Sequence, residues 1–226
     1  MKKLIVLEGL DGSGKATQAE FLQERLNNLG QKTCKISFPD YTEKSSELIK
    51  MYLNGQFGQD VNAVNPYVAS TFYTVDRYAS YNLKWKVDYL QEAFIIADRY
   101  TTSNIVYQMA KLKDSEWDSF LEWIYDFEYN KFKLPKPNLV LYLDVDPEIS
   151  TKLLTKRYGG ECSRDLHEKN AAYLKLCRKS AMYAAEKLGW KILKCFEADK
   201  IKLIEDISED ILRNVLKWAE EAGEGI

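Results

Sequence analysis

The stretch Gly9-Leu10-Asp11-Gly12-Ser13-Gly14-Lys15-Ala16-Thr17 holds the residue types suited to gripping a phosphate. Gly9, Gly14 and Lys15 fit the spacing G-x-x-x-x-G-K. In that pattern glycines let backbone N–H groups approach phosphate oxygens, and the lysine reaches the outer phosphates of a nucleotide. One position departs from it: where a Ser or Thr hydroxyl usually meets Mg²⁺, this chain has Ala16, with Thr17 one place later. Glycine spacing alone also fits an ordinary tight turn. The surroundings favour phosphate, because the apolar run Leu4-Ile5-Val6-Leu7 precedes the stretch as a buried strand. After it, Phe21, Leu22, Arg25, Leu26 and Leu29, closed by Gly30, read as an amphipathic helix whose positive N-terminal end starts near Lys15.

Other residues gather where chemistry is expected. The run Phe94 to Ala97 ends in Asp98-Arg99-Tyr100. A carboxylate at the end of a buried strand beside a phosphate loop suits Mg²⁺, directly or through water; the competing reading of Asp98 is a helix cap. On the helix that follows, Asn104, Tyr107 and Gln108 share a face and offer an amide, a phenol and a second amide to one cleft. Tyr73 and Arg77 lie four residues apart, which reads first as a ring packed on an arginine stem. The polar, glycine-bearing segment from Lys156 to Glu168 reads either as a lid carrying cations to the phosphates or as a solvated loop. Asp144 reads first as a strand end, with a functional role as the alternative, and Asp146-Pro147 as the cap and first residue of a helix.

Five apolar runs position these groups: Leu4 to Leu7, Cys34 to Phe38, Phe94 to Ala97, Leu139 to Leu143 and Lys191 to Phe196. Helix-length patterns separate them, which predicts an α/β fold with a parallel sheet covered on both faces and a site beyond the carboxyl ends of the strands. The predicted helices include a short one over Ser46 to Leu53 and a long one opened by Asn65-Pro66. A further helix carries an aromatic core stripe of Trp117, Phe120, Leu121, Ile124 and Phe127, another ends at Leu188, and the last runs from about Ile201 to Ala219. At 226 residues the chain is expected to form one domain, 1–226, with a lid at about 156–168. A net charge of -2 predicts a small phosphate ligand and no nucleic-acid polymer. No run approaches the roughly 18 apolar residues that span a bilayer, so no membrane association is expected. Cys34, Cys162, Cys177 and Cys195 form no C-x-x-C pair and no signal-peptide pattern precedes them, so structural thiols in a reducing cytoplasm are expected, with Cys162 the one candidate for reactivity.

Taken in order, the phosphate loop, Phe38-Pro39, Arg77, Asp98-Arg99-Tyr100, Ser103 and Tyr107-Gln108 resemble the thymidylate kinase family of nucleoside monophosphate kinases. The likeness is strongest at Glu8-Gly9-Leu10-Asp11, in D-R-Y-x-x-S-x-x-x-Y-Q, and at Leu143-Asp144-Val145 followed by a basic segment. The resemblance implies a three-layer P-loop NTPase fold: a five-stranded parallel sheet, helices on both faces and a small lid. It implies transfer of the ATP γ-phosphoryl group to dTMP, with Mg²⁺, in a cytoplasmic homodimer. ATP would lie on Gly9, Leu10, Asp11, Gly12, Ser13, Gly14, Lys15, Ala16 and Thr17, and Asp98 would serve the metal. By the same resemblance Lys15, Asp11, Arg99 and Arg157 are the catalytic set, with Arg164 a second choice for the lid arginine because the loop itself has Gly12 where some members have arginine. Arg99 would bind the acceptor phosphate, Tyr73 would stack on the base, Arg77 and Asn104 would address the polar edge of thymine, Tyr107 would refuse a ribose 2′-OH, and Gln108 would complete the pocket. Asp40-Tyr41 stands where many members place an arginine for the acceptor. The alternatives are a related P-loop kinase acting on another deoxynucleotide or a deoxynucleoside, and a non-catalytic nucleotide-binding relative.

Overall fold

The computed structural model describes residues 2–150, 171–198 and 200–223. Strand β1 (Lys3–Gly9) is buried along its whole length and lies at the centre of a five-stranded parallel sheet. β3 (Phe94–Asp98) and β2 (Thr33–Ser37) extend the sheet on one side of it; β4 (Leu139–Asp144) and β5 (Lys191–Lys194) extend it on the other. Successive β1 side chains enter opposite layers, as the period of a strand requires. Leu4 and Val6 join Ile95, Ala97, Val140 and Tyr142 in one core. Ile5 and Leu7 join Phe94, Ile96, Leu141 and Leu143 in the other.

The second core is closed by α1 (Lys15–Asn28) and the C-terminal helix α8 (Ile204–Glu221), through Leu22, Leu26, Ile211 and Val215. The first is closed by α3 (Pro66–Ser80) with its continuation, by α6 (Trp117–Tyr125), and by α7 (Ala171–Leu188). Asn65 caps α3 as its sequence predicts: its Oδ1 accepts the Tyr67 N–H at 2.8 Å, with Pro66 in the first turn. A π-helical turn, Tyr81–Trp85, then joins α3 to α4 (Lys86–Leu90) and buries Trp85. Shorter helices among the described residues include α2 (Glu47–Leu53) and α5 (Thr101–Ser103), the latter running directly into a π-helical turn over Asn104–Gln108.

Register aligns the functional ends. Leu7 and Ser37 both pair with Asp98, and Gly9 pairs with Leu143, so the carboxyl ends of β1, β2, β3 and β4 form one rim. Asp146 caps as predicted, accepting the Glu148 N–H at 2.8 Å.

Three expectations are corrected. The fifth strand stops at Lys194; Phe196–Glu197 (β6) turns away and pairs antiparallel with Lys200–Ile201 (β7), so the last helix starts at Ile204. The inward face of α1 is Lys15, Gln18, Ala19, Leu22 and Leu26, which leaves Phe21 and Leu29 on the surface because they fall off that stripe. Phe127 is only half-buried: a π-helical turn over Asp126–Lys131 widens the helix there and swings Glu128 and Tyr129 inward instead.

Candidate active site

The loop after β1 folds as the phosphate spacing requires. Ser13 N–H donates to the Leu10 carbonyl at 3.1 Å, and Gly14, with φ 85°, starts α1 from the left-handed region. Gly9 is fixed by space, since a Cβ there would lie 2.7 Å from both the Leu143 carbonyl oxygen and Ser13 Oγ. The loop therefore packs directly on the end of β4.

Lys15 is buried and folds back over the loop, donating to the Leu10 carbonyl at 2.8 Å and to Ser13 Oγ at 3.4 Å. Burial, reinforced by the positive charge of Arg99, lowers its pKa to about 8 against the opposing pull of Asp11, Asp98 and Glu8. Arg99 itself follows β3 with φ 67°, outside the usual range for a residue with a side chain, and its N–H donates to the Leu7 carbonyl at 3.1 Å. Its guanidinium binds Asp11, lies 3.7 Å from Glu8 and sits 5.3 Å from the centre of the Tyr107 ring. Burial opposes that charge, but Asp11 and the neighbouring carboxylates hold it firmly protonated. Tyr107 Oη donates to the other Asp11 oxygen at 2.9 Å, and Ser150 Oγ donates to the Asp11 carbonyl. Asp11, Lys15, Arg99 and Tyr107 thus form one cluster at the rim.

Asp98 lies in the same rim, and its Oδ1 is buried without a hydrogen-bond partner among the described residues. The helix-cap reading fails, because the helix begins after Tyr100 and its cap uses no Asp98 bond. An unpaired carboxylate oxygen is a hard donor that fits Mg²⁺ or a water bound to it, and a magnesium site at nucleotide phosphates needs only one or two carboxylates. Ala16 and Thr17 are exposed on the first turn of α1.

A second cluster lies inward. Arg77 is 1% exposed and Glu128 0%. The two form a doubly bonded pair, with Arg77 Nε 3.0 Å from Glu128 Oε2 and Nη2 on Oε1. Arg77 Nη1 reaches the Tyr100 carbonyl at 3.4 Å. Burial works against the Arg77 charge, and Glu128 raises its pKa despite it. Asn104 Nδ2 donates to Glu128 Oε1 at 3.1 Å and to the Ser70 carbonyl at 3.3 Å. Tyr73 is half-buried with its ring edge-on to Tyr52.

The structure gives Asn104, Tyr107 and Gln108 separate surroundings. The π-helical turn over Asn104–Gln108 spreads their directions: Asn104 goes to Glu128, Tyr107 goes to Asp11, and Gln108 is buried with Oε1 unpartnered among the described residues. The packed-stem reading of Arg77 is replaced by the ion pair. Asp40 is neutralised in place: Lys84 lies 2.5 Å from its carboxylate, and its backbone N–H donates to Asp76 at 2.9 Å. Asp144 is held by Arg178 through two bonds of 2.7 and 2.8 Å. Arg157, Arg164, Cys162 and the predicted lid at 156–168 lie outside the described residues.

Sequence reasoning missed Glu8 and Glu128. Glu8 is fully buried and accepts from Gly9 N–H at 3.0 Å, Thr102 Oγ1 at 2.6 Å and Ser103 Oγ at 2.8 Å. The signal for it was a lone acid ending an apolar strand. Glu128 carried only the fainter signal of an acid inside an aromatic stripe.

The sequence model of the thymidylate kinase family matches residues 7–211. The chain is 26% identical over 222 residues to the thymidylate kinase of Danio rerio, covering 96% of this chain and 93% of that one. It is 29% identical over 227 residues to the Arabidopsis thaliana thymidylate kinase, covering 98% and 74%. The solved thymidylate kinase of Candida albicans superimposes with a TM-score of 0.71 at 22% identity, covering 96% of this chain and 92% of that one, a likeness of fold.

Proposed function

The chain belongs to the thymidylate kinase family, and from that premise we propose that it moves the γ-phosphoryl group of ATP to the 5′-phosphate of dTMP. The P–O bond to the β-phosphate breaks, a P–O bond to the acceptor phosphate oxygen forms, and ADP and dTDP leave. The observation that carries this reading is the cluster of Lys15, Arg99 and Asp11 at the rim where β1 and β3 end.

Phosphoryl transfer asks a protein to hold donor and acceptor in line and to offset charge on the transferred group. The loop amides from Gly9 to Thr17 and the Lys15 ammonium are assigned to the donor phosphates. Arg99 is assigned to the acceptor phosphate, which would draw the guanidinium from its present bond to Asp11. Tyr73 is assigned to base stacking, Arg77 and Asn104 to the polar edge of the base, Gln108 to the pocket wall, and Tyr107, pinned by Asp11, to refusal of a ribose 2′-OH. Asp98 would hold Mg²⁺, and the ion would supply positive charge to offset that of the phosphates. Arg157 is assigned as the lid arginine, with Arg164 second.

We assign the working form as a cytoplasmic homodimer. The support for the dimer is a set of exposed apolar residues along α3, the π-helical turn after it and α4, namely Val75, Leu83, Val87 and Leu90, with Leu83 at 80%.

The test is ADP release from ATP and Mg²⁺ with dTMP, dUMP, UMP, dCMP and thymidine offered separately. Preference for dTMP is expected, and preference for another acceptor or silence with all five would overturn the reading. The variant Arg99→Ala should lose about a hundredfold or more in kcat/KM, because the group facing the acceptor charge is gone.

A further inference from the structure

The buried Glu128 has no part in the assigned contacts with substrate, yet two residues assigned to the base hang from it. Its carboxylate accepts from Thr74 Oγ1 at 2.8 Å, Thr101 Oγ1 at 3.0 Å, Asn104 Nδ2 at 3.1 Å and Arg77 Nε at 3.0 Å, besides Arg77 Nη2. Stability alone is a poor reason for such a pair. Taking two charges out of water costs about as much as their attraction returns, and well-packed apolar replacements often do as well.

Asn104 supplies a better reason. An ionised carboxylate accepts hydrogen bonds and donates none, and the Ser70 carbonyl likewise only accepts. Both lie within reach of the same end of the Asn104 amide, so that end must be the NH₂. The carbonyl end is therefore turned away from Glu128. A flipped amide would set an oxygen against two acceptors at once.

We infer that Glu128 is a specificity-positioning residue: it fixes Asn104 with its carbonyl outward and holds the Arg77 guanidinium beside it, so that the pocket presents one acceptor and one cationic donor to the base. That pattern matches thymine and uracil, which offer N3–H as donor and O4 as acceptor. Cytosine offers the reverse at both positions, an unprotonated N3 and an N4 amino group. Each mismatch leaves a buried polar group unpaired, which is how hydrogen-bonding sites reject the wrong substrate. This inference rests on the assignment of Asn104 and Arg77 to the base.

The experiment measures kcat/KM for dTMP and dCMP in the full chain. In Glu128→Gln the side chain can itself donate, the nearer of the two acceptors that orient Asn104 is lost, and the dTMP-over-dCMP ratio should fall by about tenfold or more. The KM for dTMP should rise while kcat stays near wild type, a split that general destabilisation does not produce. A folded Glu128→Gln protein with the wild-type ratio overturns the inference. Should that variant fail to fold, Glu128→Asp keeps a charge beside Arg77 but draws the carboxylate back from Asn104 by one methylene; the wild-type ratio there overturns the inference equally. Asn104→Ala separates the two levels. If it keeps the ratio, the assignment of Asn104 to the base is wrong; if it loses the ratio while Glu128→Gln keeps it, only the role of Glu128 falls.

Discussion

Replacing Lys15 by Met should make the ligand-free protein more stable while abolishing its response to ATP. The pKa of Lys15 falls from 10.5 to about 8 in the folded chain. At roughly 1.36 kcal/mol per unit this means that folding places the charged lysine at a cost of about 3 kcal/mol near neutral pH. Methionine keeps the volume and removes the charge. The variant forfeits the bond to the Leu10 carbonyl, worth about 1 kcal/mol, so the net gain is about 2 kcal/mol. For a chain of this size that raises the melting temperature by about 4–8 °C. The pH dependence gives the sharper signature. Because the unfolded lysine still holds its proton between pH 8 and 10.5 while the folded one loses it, wild-type stability rises through that window, relative to the variant. The gap between the two proteins should be full at pH 7.5 and almost closed by pH 9.5. Thermal melts at both pH values, with and without ATP, test this. A ligand-free Lys15→Met protein that melts below wild type at pH 7.5, or a gap that does not narrow with pH, refutes the reasoning.

Gly9→Ala pushes a Cβ to 2.7 Å from the Leu143 carbonyl of a paired strand, so the loop must shift; a loss of about 1–3 kcal/mol in stability and at least tenfold weaker ATP binding by calorimetry are expected. Normal ATP affinity would show that the loop does not depend on that approach. Asp98→Asn preserves shape and removes the charge, so the Mg²⁺ concentration for half-maximal turnover should rise while metal-free ATP binding stays unchanged; an unmoved Mg²⁺ titration would remove Asp98 from the metal assignment. Glu at both Leu83 and Val87 should yield monomers by light scattering, since it places charge among those exposed apolar residues. A dimer that survives puts the interface elsewhere.

The sheet and its rim were legible in the chain because buried parallel strands read as unbroken apolar runs, and five such runs at helix-length intervals leave few arrangements. The phosphate loop was legible for a similar reason: Gly9, Gly14 and Lys15 act through local geometry, and local geometry is written in spacing. What escaped lies where helical periodicity changes. Three π-helical turns, over Tyr81–Trp85, Asn104–Gln108 and Asp126–Lys131, each shift the residues that follow relative to an α-helical count. The shift separates Tyr107 from Asn104 and brings Glu128 inward, and no 3.6-residue pattern predicts either. Long-range pairing was equally hidden. Glu128 lies 51 positions from Arg77, and nothing local to either residue announces the other.

The rim holds three distinct costs in one place, and two of them are of a kind that a phosphate or a cation relieves. Lys15 and Arg99 raise one another's electrostatic energy, so a polyanion between them turns repulsion into attraction. Asp98 Oδ1 has lost water without gaining a protein donor among the described residues, a deficit that a metal or its bound water removes. Arg99 holds φ 67°, at a cost on the order of 1 kcal/mol or more, and it is the residue we assign to the acceptor. Asp11 meanwhile binds Arg99 and Tyr107 together. On that assignment an acceptor phosphate would compete with the carboxylate, and part of its binding energy would go into breaking the Asp11 contact. Donor phosphates that have already engaged Lys15 alter the same field, and their arrival changes what the acceptor must displace. Positive coupling between the two nucleotides follows if donor binding loosens Asp11 from Arg99. Affinity for dTMP measured with and without a non-hydrolysable ATP analogue reads that coupling: tighter dTMP binding in its presence is expected, and equal affinity would mean that the two sites do not share the Asp11 contact.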